Sequence, residues 1–222
     1  IPGSGLNPQR FAPGMRSRVP DDVPRILLAT RLLWDKGVGD YVEAARILKR
    51  QGIRAEFLLA GAPDLGNPTA VPRETIAEWA REGIIRVLGH VDDMAALLPG
   101  VDIMALPSAY REGVPRILLE AAACGIPSVT TDAAGCREIV THNVNGLLIP
   151  ARDPDALASA LARLIRDEPL RKRFGQAARE HAITHFDETG VIARTLAVYD
   201  QATQGQFYDR RSQRPATQRI AA

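Results

Sequence analysis

The chain has 222 residues and a mass of 24.1 kDa, the size of one large domain or two small ones. It is 45% hydrophobic but only 5% aromatic, so any core must be built from Leu, Ile, Val and Ala. A net charge of +2, two cysteines and apolar runs short of the ~20 residues of a membrane helix argue against a nucleic-acid binder, a disulfide or four-thiolate zinc scaffold, and a membrane span.

No signal peptide is visible, and the first residue is Ile1 rather than methionine, so the start is read as cut and any targeting signal as lost. A reduced, cytosolic setting is the default for two cysteines. Residues 1–24 are rich in Pro, Gly, Ser and Arg, with too little apolar content for an element of their own, and read as a linker entering a domain. The domain is then expected over 25–203. Short aliphatic runs at 25–30, 55–61, 84–89, 101–107 and 126–132 read as buried strands, with a weaker sixth at 146–150. Between them, Tyr41, Ala44, Ala45 and Leu48 line one helical face in 40–50. A second helix opens near Pro72, and a third segment, 93–100, stops on Pro-Gly.

After residue 153 the pattern becomes helix upon helix: 153–167, 169–184 and about 187–203. Such alternation predicts an α/β fold, a Rossmann-like parallel sheet of about six strands with helices on both faces, plus C-terminal helices. Residues 204–222 hold four arginines against Asp209, a local charge of +3 that leaves the rest at −1. This segment reads as a disordered tail, idle or in weak contact with an anionic membrane surface.

In an open parallel sheet, ligands bind beyond the carboxyl ends of the strands. The first strand is followed by Arg31 and Lys36, two cations in one loop. The fourth is followed by Pro107 to Pro115 and then the helical run RILLEAAACG. Gly113 permits close approach to the backbone, and Pro115 suits a helix start. The first N–H groups of that helix lack intrahelical acceptors and lie at the positive end of its dipole, as an anion requires. Residue types alone suit a phosphate site and a solvated loop equally well. There is no Gly-x-Gly-x-x-Gly, Walker-type or metal motif. His181 and His185 read as a solvated face, Cys124 as a small buried residue, and Cys136 as a loop thiol. Glu112 and Glu120 lie eight apart, roughly 12 Å along a helix, far enough to bracket an extended ligand.

The run PSAYREGVPRILLEAAACGIPSVTTDAAGCREIV resembles the donor-binding half of retaining glycosyltransferases of family 4, which have the GT-B fold of two Rossmann-like domains facing a cleft. The frame E-G-x-P-x-x-x-x-E-A-x-A-x-G-x-P is matched from Glu112 to Pro127, and ATRLLWDKG resembles the G-R-L-x-x-x-K-G loop with Ala-Thr before the Arg. VLGHVDDMAALLPGVDIMALPS and NVNGLLIPARDPDALA also fit, so the resemblance covers about residues 25–170. Y-R-E-G with T-D-x-x-G-C-R-E is similar to bacterial members acting on lipid-linked glycans.

The resemblance implies that Arg31 and Lys36 bind the diphosphate of a nucleotide sugar and that backbone N–H groups from Gly113 through Val114 and Pro115 to Arg116 hold its oxygens. Glu112 would take hydroxyls of the transferred sugar and Glu120 those of the ribose, with the base against Gly89, His90 and Val91. It implies no metal or other cofactor, a UDP-N-acetylhexosamine donor, and a cytoplasmic protein peripheral to the inner membrane face. IPGSGLNPQRF resembles the segment between the two domains, so the chain is expected to begin there, to lack the acceptor domain, and to be inactive alone. The last helix would then expose Val191, Leu196 and Tyr199. Two other classes remain open: a non-catalytic nucleotide-binding module, which would not need Glu112, and an epimerase of nucleotide sugars, which would need acid-base groups.

Overall fold

Near-continuous apolar runs are what a parallel sheet covered on both faces requires, and each of the six becomes a strand. The structure, a computed structural model, describes residues 5–14, 23–64, 66–110 and 113–202; the expectations for Glu112 and for the tail at 204–222 lie outside the described residues. The strands are β1 (Arg25–Ala29), β2 (Glu56–Ala60), β3 (Arg86–Gly89), β4 (Ile103–Leu106), β5 (Ser128–Thr131) and β6 (Gly146–Ile149). All pairings are parallel, in the order β3-β2-β1-β4-β5-β6. The register sets Ile26 of β1 between Phe57 of β2 and Ile103 of β4, all buried.

The helices are α1 (Val38–Arg50), α2 (Arg73–Arg81), α3 (Met94–Leu97), α4 (Arg116–Ala123), α5 (Ala134–Arg137), α6 (Pro154–Arg166), α7 (Glu168–Phe186) and α8 (Glu188–Ala202). From β1 the chain builds outward to β2 and β3, then returns to add β4, β5 and β6 on the other side. Right-handed crossovers place the helices of the two halves on opposite faces. α1 packs against α6, which follows the last strand and so returns to the face of the first half, and α4 packs against α7. Buried Tyr41 fixes α1 to the sheet: its hydroxyl donates to the Ile26 carbonyl at 2.8 Å, with the Leu58 carbonyl at 3.0 Å. Asp153 and Asp167 cap α6 and α7, each accepting from a backbone N–H at 2.8 Å. Arg171, buried in α7, donates to the carbonyls of Leu164 and Ile165 that α6 leaves open at its end.

Two expectations need correction. Cys136 is not a loop thiol: it lies in α5, fully buried, with its Sγ 3.2 Å from Thr130 Oγ1. Val191 is only 7% exposed because the first turn of α8 still packs on the domain, while Ile192, Val198 and Tyr199 of the same helix are exposed and Leu196 is half-buried. On the partly solvated face of α7, the imidazoles of His181 and His185 stack at 4.6 Å, and His181 Nε2 lies 3.0 Å from the Glu138 carbonyl.

Residues 5–14 form no helix or strand, yet Leu6 and Phe11 are buried in the core. Leu6 exchanges backbone hydrogen bonds with Phe186 and Glu188, which fastens this strap across the α7–α8 junction. Among the described residues no helix is long and apolar enough to cross a membrane.

Candidate functional site

The strand order reverses between β1 and β4, and the loops leaving their carboxyl ends meet there. The carbonyl of Asp35 accepts from the N–H groups of Ala109 at 2.9 Å and Tyr110 at 3.1 Å. From the other side, Thr131 Oγ1 donates to the Ser108 carbonyl at 2.7 Å and Thr130 Oγ1 to the Leu106 carbonyl at 2.8 Å. Two threonines in β5 therefore hold the loop after β4 against the loop after β1. The contact is tight at Gly37, where φ is +74° and a Cβ would stand 2.1 Å from the Pro107 carbonyl oxygen.

Beside these loops is a cleft of about 380 Å³. Arg31 enters it after β1, Gly61 after β2, His90 and Val91 after β3, and Arg116 and Glu120 from α4. A larger cavity, about 440 Å³, lies at the opposite end of the sheet, lined by Val101, Asp102, Ile126 and Pro127 just before β4 and β5, and by α7. Ligands of open parallel sheets bind at the carboxyl ends, which makes the smaller cleft the candidate site.

Arg31 has a 60% exposed side chain, and its Nη1 lies 3.1 Å from Asp64 Oδ2. Glu120 is only 15% exposed, with Arg116 Nε at 3.7 Å from its Oε1. Burial raises the pKa of its carboxyl above the usual glutamate range, against the opposing pull of Arg116 and Arg10. Gly89 adopts φ +72°, and its carbonyl accepts from Gly61 N–H at 2.7 Å, so that group is used within the fold while the turn directs His90 and Val91 into the cleft. The His90 imidazole is exposed, 3.3 Å from Asp92.

The other expected residues stand differently. Lys36 is only 8% exposed and does not line the cleft; its ammonium lies 4.7 Å from the centroid of the Tyr110 ring. Gly113 is exposed, with nothing within 4 Å of where a Cβ would be, so the backbone there is approachable. Val114 is half-buried, and Pro115 is buried just ahead of α4. Proline has no N–H, so the donor series expected from Gly113 to Arg116 skips Pro115, and the helix start offers the N–H groups of Arg116 and Ile117.

Asp64, Met94 and Gly61 were not anticipated. Gly61 and Asp64 follow a strand just as Arg31 does, and that signal could have found them; Met94 enters only through the fold. Two guanidinium groups, a helix N-terminus and one half-buried carboxylate can bind an anion at one end and hydroxyls at the other.

The family model for glycosyl transferases group 1 matches residues 15–181. The N,N'-diacetylbacillosaminyl-diphospho-undecaprenol alpha-1,3-N-acetylgalactosaminyltransferase of Campylobacter jejuni is 35% identical over 181 residues, 82% of this chain and 46% of that protein. The chain spans about half the length of the curated relatives it matches. Sucrose-phosphate synthase of Thermosynechococcus elongatus superposes with a TM-score of 0.78 at 25% identity, over 90% of this chain and 52% of that one. Anabaena HepE, solved with UDP, gives 0.75 at 24% identity over 87% and 56%. The C-terminal domain of a group 1 glycosyl transferase from Francisella tularensis gives 0.69 at 22% identity, over 82% of this chain and 99% of that one. With its strands in Rossmann-like order, its cleft at the strand-order reversal and a family match from residue 15 to 181, the chain belongs to the group 1 glycosyl transferases.

Proposed function

We propose that this chain is the donor-binding half of a retaining glycosyltransferase that moves a sugar, an N-acetylhexosamine, from a UDP-sugar to a lipid-linked glycan. The observation that carries the reading is the cleft that gathers Arg31, Arg116 and Glu120 at the reversal of strand order. A departing diphosphate gains negative charge, and cations already in place stabilise that charge more than they stabilise the bound ground state. Arg31 would do this directly, with the N–H groups at the start of α4. Lys36 would add positive potential from its buried place in the same loop pair. Glu120 would accept from the ribose hydroxyls, and Glu112 from the transferred sugar. With these cations present the reading needs no metal.

Retention would follow from front-face attack, with a donor phosphate oxygen taking the acceptor's proton as the acceptor oxygen bonds to the anomeric carbon and the diphosphate leaves. The relative's lipid-linked acceptor and the UDP bound by HepE support the substrate classes. The chain covers nearly all of an isolated C-terminal domain and under half of the Campylobacter enzyme, which supports a missing acceptor half. The working location on this reading is the cytoplasmic face of the inner membrane, by peripheral contact.

Calorimetric titration with UDP, GDP and ADP tests the donor site. The expected result is saturable binding of UDP that an Arg31→Ala change weakens at least tenfold. Unchanged binding in that variant, or binding of none of the three, would overturn the assignment. Incubation with UDP-N-acetylhexosamine and an undecaprenyl-diphosphate-linked acceptor should yield no transfer by this chain alone; robust transfer would refute the half-enzyme reading.

A further inference from the structure

We propose that Asp64, in the loop after β2, is a positioning residue for Arg31: its carboxylate holds the guanidinium ready for an anion in the cleft. The inference rests on the donor-site reading of that cleft, which gives Arg31 the diphosphate. The contact is direct, with Arg31 Nη1 donating to Asp64 Oδ2 at 3.1 Å.

What separates this pair from an incidental surface contact is the frame that carries it. The loop after β2 runs alongside the loop after β1. Leu32 N–H donates to the Ala62 carbonyl at 3.2 Å, Trp34 N–H donates to the Thr69 carbonyl at 2.8 Å, and the Leu32 carbonyl accepts from Val71 N–H at 2.9 Å. Gly61 lets the two loops close up where they leave the sheet, since a Cβ there would stand 1.9 Å from the Thr30 carbonyl oxygen. Within the second loop, Asn67 N–H donates to the Asp64 carbonyl at 2.9 Å. Asn67 Oδ1 in turn accepts from the N–H and the hydroxyl of Thr69, both at 2.9 Å. Arg31 and Asp64 are therefore carried by one short backbone ladder, which sets the distance between their side chains.

Arg31 lines the cleft and Asp64 does not, so the carboxylate holds the guanidinium from outside the space a ligand would fill. A guanidinium has five N–H donors, and one spent on Asp64 leaves others for phosphate oxygens. An arginine ordered only on binding loses rotamer freedom at that step, and a partner that orders it beforehand removes part of that cost. The opposing effect is the carboxylate's own charge, which repels an incoming phosphate. Both side chains are exposed, 60% for Arg31 and 37% for Asp64, so water and salt screen that repulsion and the ordering effect sets the sign.

The test uses the 222-residue chain with Asp64→Ala and Asp64→Asn. The Arg31 Nε–H signal, assigned by its loss in Arg31→Ala, is followed by nitrogen NMR relaxation, and UDP affinity is measured beside it. Asp64→Ala should lower the order parameter of that N–H and bind UDP about two- to fivefold more weakly, the scale of an exposed charge pair. Asparagine keeps an oxygen that can accept from Nη1, so Asp64→Asn should retain the order and recover most of the affinity. In an Arg31→Ala background, Asp64→Ala should cost nothing further, because the loss runs through Arg31. Tighter UDP binding by both variants would make Asp64 a competing charge and overturn the proposal. An unmoved Arg31 order parameter in Asp64→Ala, or an equal loss in the Arg31→Ala background, would overturn it too. If the parent binds no UDP, yet Arg31 loses order in Asp64→Ala and keeps it in Asp64→Asn, the positioning role stands and the donor-site reading falls.

Discussion

The Lys36 ammonium lies 4.7 Å from the centroid of the Tyr110 ring, across the two loops that meet between β1 and β4. Lys36 is almost fully buried, whereas the other cation of its loop, Arg31, projects from the surface. Their removal should therefore be felt differently. Arg31→Ala should cost nucleotide affinity and leave the melting temperature within about 1–2 °C of the parent, as for most exposed substitutions. Lys36→Ala should cost affinity and also lower the melting temperature by about 2–6 °C, because the contact between a buried ammonium and an aromatic face is worth roughly 1–2 kcal/mol even with the ring itself half-exposed. Differential scanning calorimetry beside the titration checks both.

Gly37 is where the two loops touch. An alanine there would have to hold φ at +74° with its Cβ 2.1 Å from a backbone oxygen, which no side-chain rotation relieves. Gly37→Ala should destabilise by about 2–4 kcal/mol in urea unfolding and lose nucleotide affinity, since separating the loops moves Arg31 relative to α4. By contrast, Gly52→Ala has φ +69° with nothing within 4 Å, and should cost only about 1–2 kcal/mol with affinity intact.

Tyr41 bears on the sheet alone. Its hydroxyl serves the buried carbonyls of Ile26 and Leu58, which also take part in the β-ladder region. Tyr41→Phe should cost about 1–2 kcal/mol, the worth of one buried hydrogen bond with its acceptor left short, and leave nucleotide affinity unchanged. Paired urea unfolding and calorimetry would show the separation.

Glu120 should trade stability against binding. Its folded pKa is raised, chiefly by burial, so above that pKa the ionised form is disfavoured in the fold relative to the unfolded chain. That penalty is fully present at neutral pH and vanishes below the unfolded pKa, near 4.3. Glu120→Gln should therefore melt higher than the parent at pH 7 and nearly with it at pH 4, while binding UDP more weakly at pH 7. Melting curves across that range give the sign directly.

All six strands could be read from residue order, because runs rich in aliphatic residues bounded by turns are a local property, although β5 is buried with three hydroxyl side chains and β3, at the sheet edge, is only partly buried. The cations after the first strand, and the Gly-Val-Pro before α4, were legible for a similar reason: a parallel sheet places every strand-to-helix turn at one end. Residue order did not show that Arg31 meets Asp64, that Thr130 and Thr131 fasten the loop after β4, or that Lys36 is buried at Tyr110. It also hid α5, since AGCR is too short to show a helical period, and with it the burial of Cys136. Leu6 and Phe11 looked too few to order the first residues, yet two apolar side chains suffice once the α7–α8 junction supplies their partners. Apolar period and turn chemistry act within a few residues and leave their mark in the sequence. Pairing partners, burial of single side chains and the arrangement of charges around Glu120 depend on contacts between segments distant along the chain, and these exist only after the sheet has assembled.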